Sequence, residues 1–546
     1  MDREDILYFI NPATGEEFGQ IAMTTPAEVS QASEAMRAAA RIWSWKPPVE
    51  RARILRQFQR VVIDAADEIT AVMNQDTGKT RQDALIEIFM TVDVLHQYIK
   101  YAPRWLRRRR APSGLYIFKR CYVEPKPYGV VAVIAPWNYP FALALPAVLG
   151  ALLAGNTVLF KPSEVTSATG VLIQNLFERV PELAPFVRVL HGDARVGAAL
   201  VQSKPDYIFL TGSTVTGKKV GQAAAEHLIP LACELGGKDA MLVLEDADIE
   251  QAAHWGVWGA LFNSGQTCMG IERIYVVEQV YDQFVERAVH YARELKMGYS
   301  TEKNCSYYLG PLADPRQLRI IRRHLDDAIA RGACILTGGK IQAMYVEPTV
   351  LVDVDHEMLL MQEETFGPLI PIMKVKDEVE AIRLANDSIY GLGASIWSND
   401  IERAERIGHQ IEASTIIVND TLAQFAVPLL PFGGIKQSGY GRTHGKEGLI
   451  QFTRPYAYTI GRPPNTWDIA TIVRKPGNYH SLKTLLGLAF GVTPRQRVRP
   501  LAESLEEIST PALSPAVSRA AVSGLPAALA ALGALAGIVL VTRYRK

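Results

Sequence analysis

The chain has 546 residues, 48% of them hydrophobic, with a formal charge of +1 at pH 7. That length exceeds what one core supports and predicts two or three domains, and the balanced charge gives nucleic acid no electrostatic reason to bind. The five cysteines (Cys121, Cys233, Cys268, Cys305 and Cys334) are odd in number and lack metal-ligand spacing, which argues for a reducing compartment and against both a disulfide framework and a metal site.

At the N-terminus acidic residues stand where a signal peptide would carry a basic region, and no apolar run follows; chemistry facing the cytoplasm is expected. Asn11 to Glu16 reads as a turn between short strands. From Pro26 to Ile99 the pattern is helical, with Val61, Ile69 and Val72 at helix spacing and breaks at Pro47-Pro48 and Thr77-Gly78-Lys79. Arg107 to Arg110 form a basic run of the kind that ends a solvated helix, with lipid contact as the alternative.

Apolar strand candidates then alternate with helices: 130–135, 157–160, 187–190, 207–210 and 240–244. This predicts a parallel, doubly wound sheet, whose nucleotide site lies at the carboxyl ends of the strands. A second alternating stretch, from Ile274 to about Ile417, reads as another α/β unit. No GxGxxG is present. Instead, Phe209-Leu210-Thr211-Gly212-Ser213-Thr214-Val215-Thr216-Gly217 follows a strand and opens a helix, where glycines and helix N–H groups can meet phosphate; alone, such a turn is a capping motif. Lys161-Pro162-Ser163-Glu164 ends the second strand.

Cys268 closes the stretch Phe262-Asn263-Ser264-Gly265-Gln266-Thr267-Cys268, where a Gly-containing turn after a helical run can present a sulfur. Such a cysteine alone packs as a small hydrophobe, and it becomes a nucleophile only with a base or oriented dipoles nearby. Three further stretches favour the nucleophile: Ile134-Ala135-Pro136-Trp137-Asn138, Cys233-Glu234-Leu235-Gly236-Gly237-Lys238 and Glu363-Glu364-Thr365-Phe366-Gly367-Pro368. Together with Leu430 to Gly439 they resemble the aldehyde dehydrogenase superfamily, with matches from about Asn11 to Thr453.

The resemblance implies an aldehyde dehydrogenase-like fold with two doubly wound α/β domains, a Rossmann-type NAD-binding domain (1–115 and 129–235) and a catalytic domain (236–418). An oligomerisation arm and closing segment (116–128 and 419–462) would support a homodimer. It assigns Cys268 as the nucleophile, Asn138 with the cysteine's own N–H as oxyanion donors, and Glu234 as the base that activates water. Lys161 and Glu164 would bind the adenosine ribose, and the carboxylate favours NAD, with NADP the alternative acceptor. Trp137, Ser163, Gly197, Gly212, Ser213, Gly217 and Leu235 complete the cofactor-binding set, with Glu364 on the nicotinamide ribose and Phe366 beside that ring. Tyr139, Phe425 and Phe432 would line the aldehyde channel. Relatives that acylate coenzyme A generally lack the base, so Glu234 points to release of a free acid. Lys238 is either a spectator or positions Glu234; Cys233 and Cys305 read as structural. Many relatives carry a glutamate just after the position of Thr453, proposed as part of a proton path, whereas here Arg454-Pro455 follows.

Beyond residue 460 the superfamily pattern ends. A short apolar helix is expected at 481–492, a linker through 519, and an uncharged Ala-rich stretch at 520–542 before Arg543-Tyr544-Arg545-Lys546. As a helix that stretch would span roughly 34 Å, enough to cross a bilayer, with Gly533 and Gly537 spaced for close helix approach. It resembles the tail of membrane-bound fatty aldehyde dehydrogenases. The expectation is therefore a C-terminal transmembrane anchor and long-chain or otherwise apolar aldehydes. The alternatives are a broad-specificity enzyme acting on aromatic or apocarotenoid aldehydes with a disordered tail, and a non-catalytic scaffold.

Overall fold

The computed structural model describes residues 5–114, 116, 119–461, 479–493 and 496. The chain divides into two compact units, residues 1–109 with 123–457 and residues 110–122 with 458–546.

In the first unit, a hairpin of Ile6–Ile10 and Glu17–Ala22 precedes the helices Pro26–Trp43, Pro48–Asp64, Ala66–Thr77 and Arg81–Trp105. The first helix starts on a capping box: the Thr25 hydroxyl accepts from the Glu28 N–H, and the Glu28 carboxylate accepts from the Thr25 N–H at 2.8 Å. The breaks fall at Pro47 and at Gly78, which ends its helix at φ 74. Ile69 is buried, and Val61 and Val72 pack against the same core.

The following sheet has the order Gly439–Tyr440, Leu231–Glu234, Tyr207–Thr211, Val130–Ile134, Thr157–Lys161, Val187–Val189, all parallel except the short Gly439–Tyr440. Val130–Ile134, Thr157–Lys161 and Tyr207–Thr211 are buried along their whole lengths, because helices cover both faces. From Val130–Ile134 the chain first winds to one side, through 157 and 187, then returns to pair Tyr207–Thr211 on the other. That reversal opens a crevice at the carboxyl ends, beside Pro136-Trp137-Asn138 and Lys161.

The strand expected at 240–244 is displaced from this sheet. Leu231–Glu234 takes its place, and Asp239–Val243 lies in a second sheet. That sheet has the order Cys334–Thr337, Thr349–Val352, Leu369–Val375, Ile271–Val277, Asp239–Val243, Gly393–Trp397, Thr415–Val418, parallel except for its first pair. Two parallel-sheet α/β domains are present; the second takes in Asp239–Val243, ahead of the alternation read from Ile274 and inside the 236–418 range implied by the resemblance.

The extended strands Arg120–Pro127 and Thr453–Ile460 occupy the positions read as the arm. In the second unit, the apolar tail helix runs Tyr479–Phe490 with Tyr479, Leu486 and Phe490 exposed. The membrane-anchored localisation is corrected: among the described residues no helix is long and apolar enough to cross a membrane. The 520–542 stretch on which it rested lies outside the described residues.

Candidate active site

The nucleophile loop grows out of the helix Ile249–Leu261, which Asp248 caps by accepting from the Gln251 N–H at 3.1 Å. After Leu261 the chain turns through three left-handed residues, Asn263 (φ 54), Ser264 (φ 59) and Gly265 (φ 74). Only glycine fits the third position, since a Cβ there would collide with the Gly367 carbonyl. The two strained non-glycine residues are held by side-chain bonds: Asn263 Nδ2 donates to the Asn138 carbonyl at 3.1 Å, and Ser264 Oγ to the Gly310 carbonyl at 2.8 Å. Thr267 shares a 2.7 Å hydrogen bond with the Tyr139 hydroxyl. The result is a rigid bend that delivers Cys268 partly exposed at its end. Burial pushes the Cys268 thiol up, and the carboxylates of Asp239, Glu364 and Glu234 push it further. A protonated thiol is a weak nucleophile, so this environment calls for a base beside the sulfur.

Asn138 sits where strand Val130–Ile134 has run out, and its Nδ2 donates to the Gln266 carbonyl at 3.0 Å, two residues before the sulfur. Behind it stands a buried ion pair absent from the sequence reading. Lys79 Nζ donates to the Asn138 carbonyl at 2.8 Å and to Glu87, whose second oxygen accepts from the N–H groups of Phe141 and Ala142 at 3.2 and 3.1 Å. Lys79 and Glu87 thus clamp the loop that carries Asn138.

Glu234 ends strand Leu231–Glu234 and lines, with Cys268, Thr211, Phe425, Phe432 and His444, a cavity of 20 Å³. That is about the space one water centre occupies. Glu234 is 5% exposed, and neither carboxyl oxygen has a protein hydrogen-bond partner among the described residues. Burial raises its pKa well above the carboxylate range, with Arg442 opposing weakly. Lys238, in contrast, serves another residue. Its Nζ donates to Glu272 at 2.6 Å and to the Thr365 hydroxyl at 3.1 Å. Glu272 in turn accepts from the N–H groups of Thr365 and Phe366 at 2.7 and 2.8 Å, fixing the Glu364–Phe366 turn. The signal for this was a charged pair, Glu272-Arg273, inside an otherwise apolar buried strand. Cys233 is buried, and burial pushes its thiol up to about 11, in keeping with a packing role.

The cofactor residues converge on the crevice. Lys161 is buried beside Glu164, with 3.7 Å between Nζ and the carboxylate, and Gly197 lies against its aliphatic stem. Ser163 and Ser213 both cap helical turns, the latter accepting from the Thr216 N–H at 3.2 Å. The Gly212 N–H donates to the Glu234 carbonyl at 3.0 Å. Gly217 approaches Leu235 so closely that a Cβ would lie 2.7 Å from its Cδ1. Trp137 and Phe366 meet edge to face at 5.5 Å, and the Glu364 carboxylate accepts from the Gly237 N–H at 3.0 Å. Burial and the neighbouring Glu272 raise Glu364 to about 8. A buried cation, glycine gaps against the sheet and a helix N-terminus suit a dinucleotide, and the residues present fit one.

A second cavity, of 330 Å³, also reaches Cys268. Tyr139 and Phe425 line it as expected, whereas Phe432 lines the smaller Glu234 cavity. Most of its wall was missed: Phe89, Trp255, Trp258, Phe262 and Leu422. Trp255 and Trp258 are three apart on one helix, the spacing that puts both on one face. Asp420 contributes the one carboxylate of the lining.

Residues 2–457 match the family model described as the aldehyde dehydrogenase family. The chain is 40% identical over 489 residues to 4,4'-diapolycopene aldehyde oxidase of Methylomonas sp, covering 88% of this chain and 91% of that protein. It is 33% identical to the putative succinate-semialdehyde dehydrogenase [NADP(+)] 2 of Mycobacterium ulcerans, covering 85% and 93%. Among solved structures, an aldehyde dehydrogenase from Brucella melitensis biovar abortus 2308 superposes with a TM-score of 0.81 at 32% identity, covering 84% of this chain and 94% of that one. The chain belongs to the aldehyde dehydrogenase family.

Proposed function

We propose that this enzyme oxidises extended apolar aldehydes, of the long-chain or apocarotenoid kind, to the free carboxylic acid with NAD as the hydride acceptor. The observation that carries the substrate class is the 330 Å³ aromatic-walled cavity ending at Cys268. An apolar tail buried there leaves water, while the aldehyde carbon meets the sulfur. The relative named for 4,4'-diapolycopene aldehyde, the most identical of those given above, supports the same class.

In this reading Glu234 takes the thiol proton as Cys268 adds to the aldehyde carbon, with the Asn138 amide and the cysteine N–H as donors to the developing oxyanion, and passes that proton to solvent before the hydrolytic step. Bound NAD supplies the acceptor for the hydride. Glu234, unpartnered beside the sulfur, takes a proton from the water that hydrolyses the thioester. Glu164 at the ribose position disfavours a 2′-phosphate, although Arg316 Nη2 lies 3.7 Å from its carboxylate and offers a counter-charge. The test is NADH formation from decanal by the purified protein, compared with Cys268→Ser. Loss of turnover in the variant is expected; equal turnover would remove Cys268 from the mechanism.

A further inference from the structure

His444 is 1% exposed, and neither ring nitrogen has a hydrogen-bond partner among the described residues. It lines the same 20 Å³ cavity as Glu234 and Cys268. Its ring is wedged against Phe425 at 4.5 Å, with Phe432 at 6.4 Å on the same side of the cavity. Its backbone stands at φ 58, ψ 173, a conformation that glycine alone adopts readily. The preceding residue, Thr443, is locked by pairing with Phe432 in both directions, at 2.7 and 2.8 Å, and the Tyr98 hydroxyl meets the His444 backbone. A packing role alone would be filled better by leucine or phenylalanine, which leave no orphaned polar atoms. A polar guest in the cavity would pair the ring nitrogens, and a strained backbone held at the same residue marks a position kept for more than packing.

We propose that His444 is a catalytic residue of the hydrolytic half-reaction, its imidazole holding the attacking water against Glu234 and the acylated Cys268. In this step the water oxygen bonds to the acyl carbon and the carbon–sulfur bond breaks, with sulfur leaving as thiolate. One water proton passes to the Glu234 carboxylate; the other, hydrogen-bonded to an imidazole nitrogen, stays with the product acid. Burial holds the imidazole down at about 4, so the ring is neutral at working pH and acts as a hydrogen-bond partner without storing charge. The inference rests on the hydrolytic reading of Glu234 and gives this site a second polar wall where the sequence has Arg454-Pro455 after Thr453.

The test is transient kinetics of the full chain with NAD and decanal, comparing wild type, His444→Phe and His444→Asn. His444→Phe should release one NADH per site at the wild-type rate and then turn over about 100-fold more slowly. Acid quenching should trap acylated Cys268, read as a mass shift on its peptide. His444→Asn, which keeps a polar partner, should recover much of the turnover; it also serves as the informative variant if the phenylalanine protein fails to bind NAD. Unchanged turnover in His444→Phe, a His444→Asn protein as slow as His444→Phe, or parallel loss of burst and steady state without trapped thioester, would overturn the role of His444. A wild-type protein that forms no NADH from any aldehyde would instead overturn the functional reading on which it rests.

Discussion

The apolar cavity makes a quantitative demand on substrate length. Its 330 Å³ is about ten times the roughly 30 Å³ that one water molecule takes up in the liquid, and a methylene is of similar bulk. Moving one methylene from water to an apolar wall is worth about 0.8 kcal/mol, close to fourfold in kcat/KM. Ordering a flexible chain cancels part of this, so saturated aldehydes should gain about two- to fourfold per carbon and then level off near ten carbons. A conjugated chain of equal length loses less freedom on binding and should do better still. The perturbation is Ala423→Phe, which sets a phenyl ring into the wall shared with Tyr139, Trp258 and Phe425. It adds about six carbons of bulk, so the plateau should move inward by roughly that number. The assay is kcat/KM from NADH appearance across a homologous aldehyde series, for wild type and variant. A flat or falling profile in the wild type, or an Ala423→Phe profile with the plateau unmoved, would refute the assignment of this cavity to the substrate tail.

Three other outcomes follow from the same site. Glu234 must lose its proton to act as a base, and burial raises its pKa; steady-state turnover should therefore climb with pH in a range above that of an ordinary carboxylate, and Glu234→Gln should abolish both the climb and the turnover. Lys79→Met leaves the Glu87 carboxylate buried without its cation, which should cost about 3–5 kcal/mol in urea unfolding, and Glu87→Gln on the same chain should restore part of it. Glu164→Gln removes the negative charge from the adenosine ribose position, so the NADP-to-NAD ratio of kcat/KM should rise on the order of tenfold, measured with both cofactors on one aldehyde.

The proposed reacting groups were legible because each sits in a short motif whose local geometry does the positioning. Asn138 follows a proline at a strand end, Glu234 precedes two glycines, and Cys268 follows a bend that needs Gly265. The first sheet was legible from runs such as Val130–Ile134, buried on both faces. The strand at Asp239–Val243 was given to the wrong sheet because only Leu235 to Lys238 separate it from Leu231–Glu234. Apolar pattern marks a strand but says nothing about which sheet receives it. The substrate wall was illegible for a related reason: Phe89, Trp255 and Leu422 come from three segments far apart in sequence and share no motif.

The supporting charges were hidden for a deeper reason, and they explain how a rigid site is maintained. Lys79–Glu87 lies behind the Asn138 loop and Lys238–Glu272 behind the Glu364 turn, and all four side chains are at most 8% exposed. Burying such pairs carries a desolvation cost that their attraction barely offsets, so fold stability does not account for them. What both pairs share is a set of backbone groups that have no helix or sheet partner: the Asn138 carbonyl and the Phe141 and Ala142 N–H groups in one case, the Thr365 and Phe366 N–H groups in the other. A loop that must present its side chains to a substrate cannot satisfy its own backbone, and a buried charge supplies several strong partners from one residue. Hydrophobic replacement of either pair should therefore preserve the fold better than the catalytic rate, because it would free the loop that the charges hold.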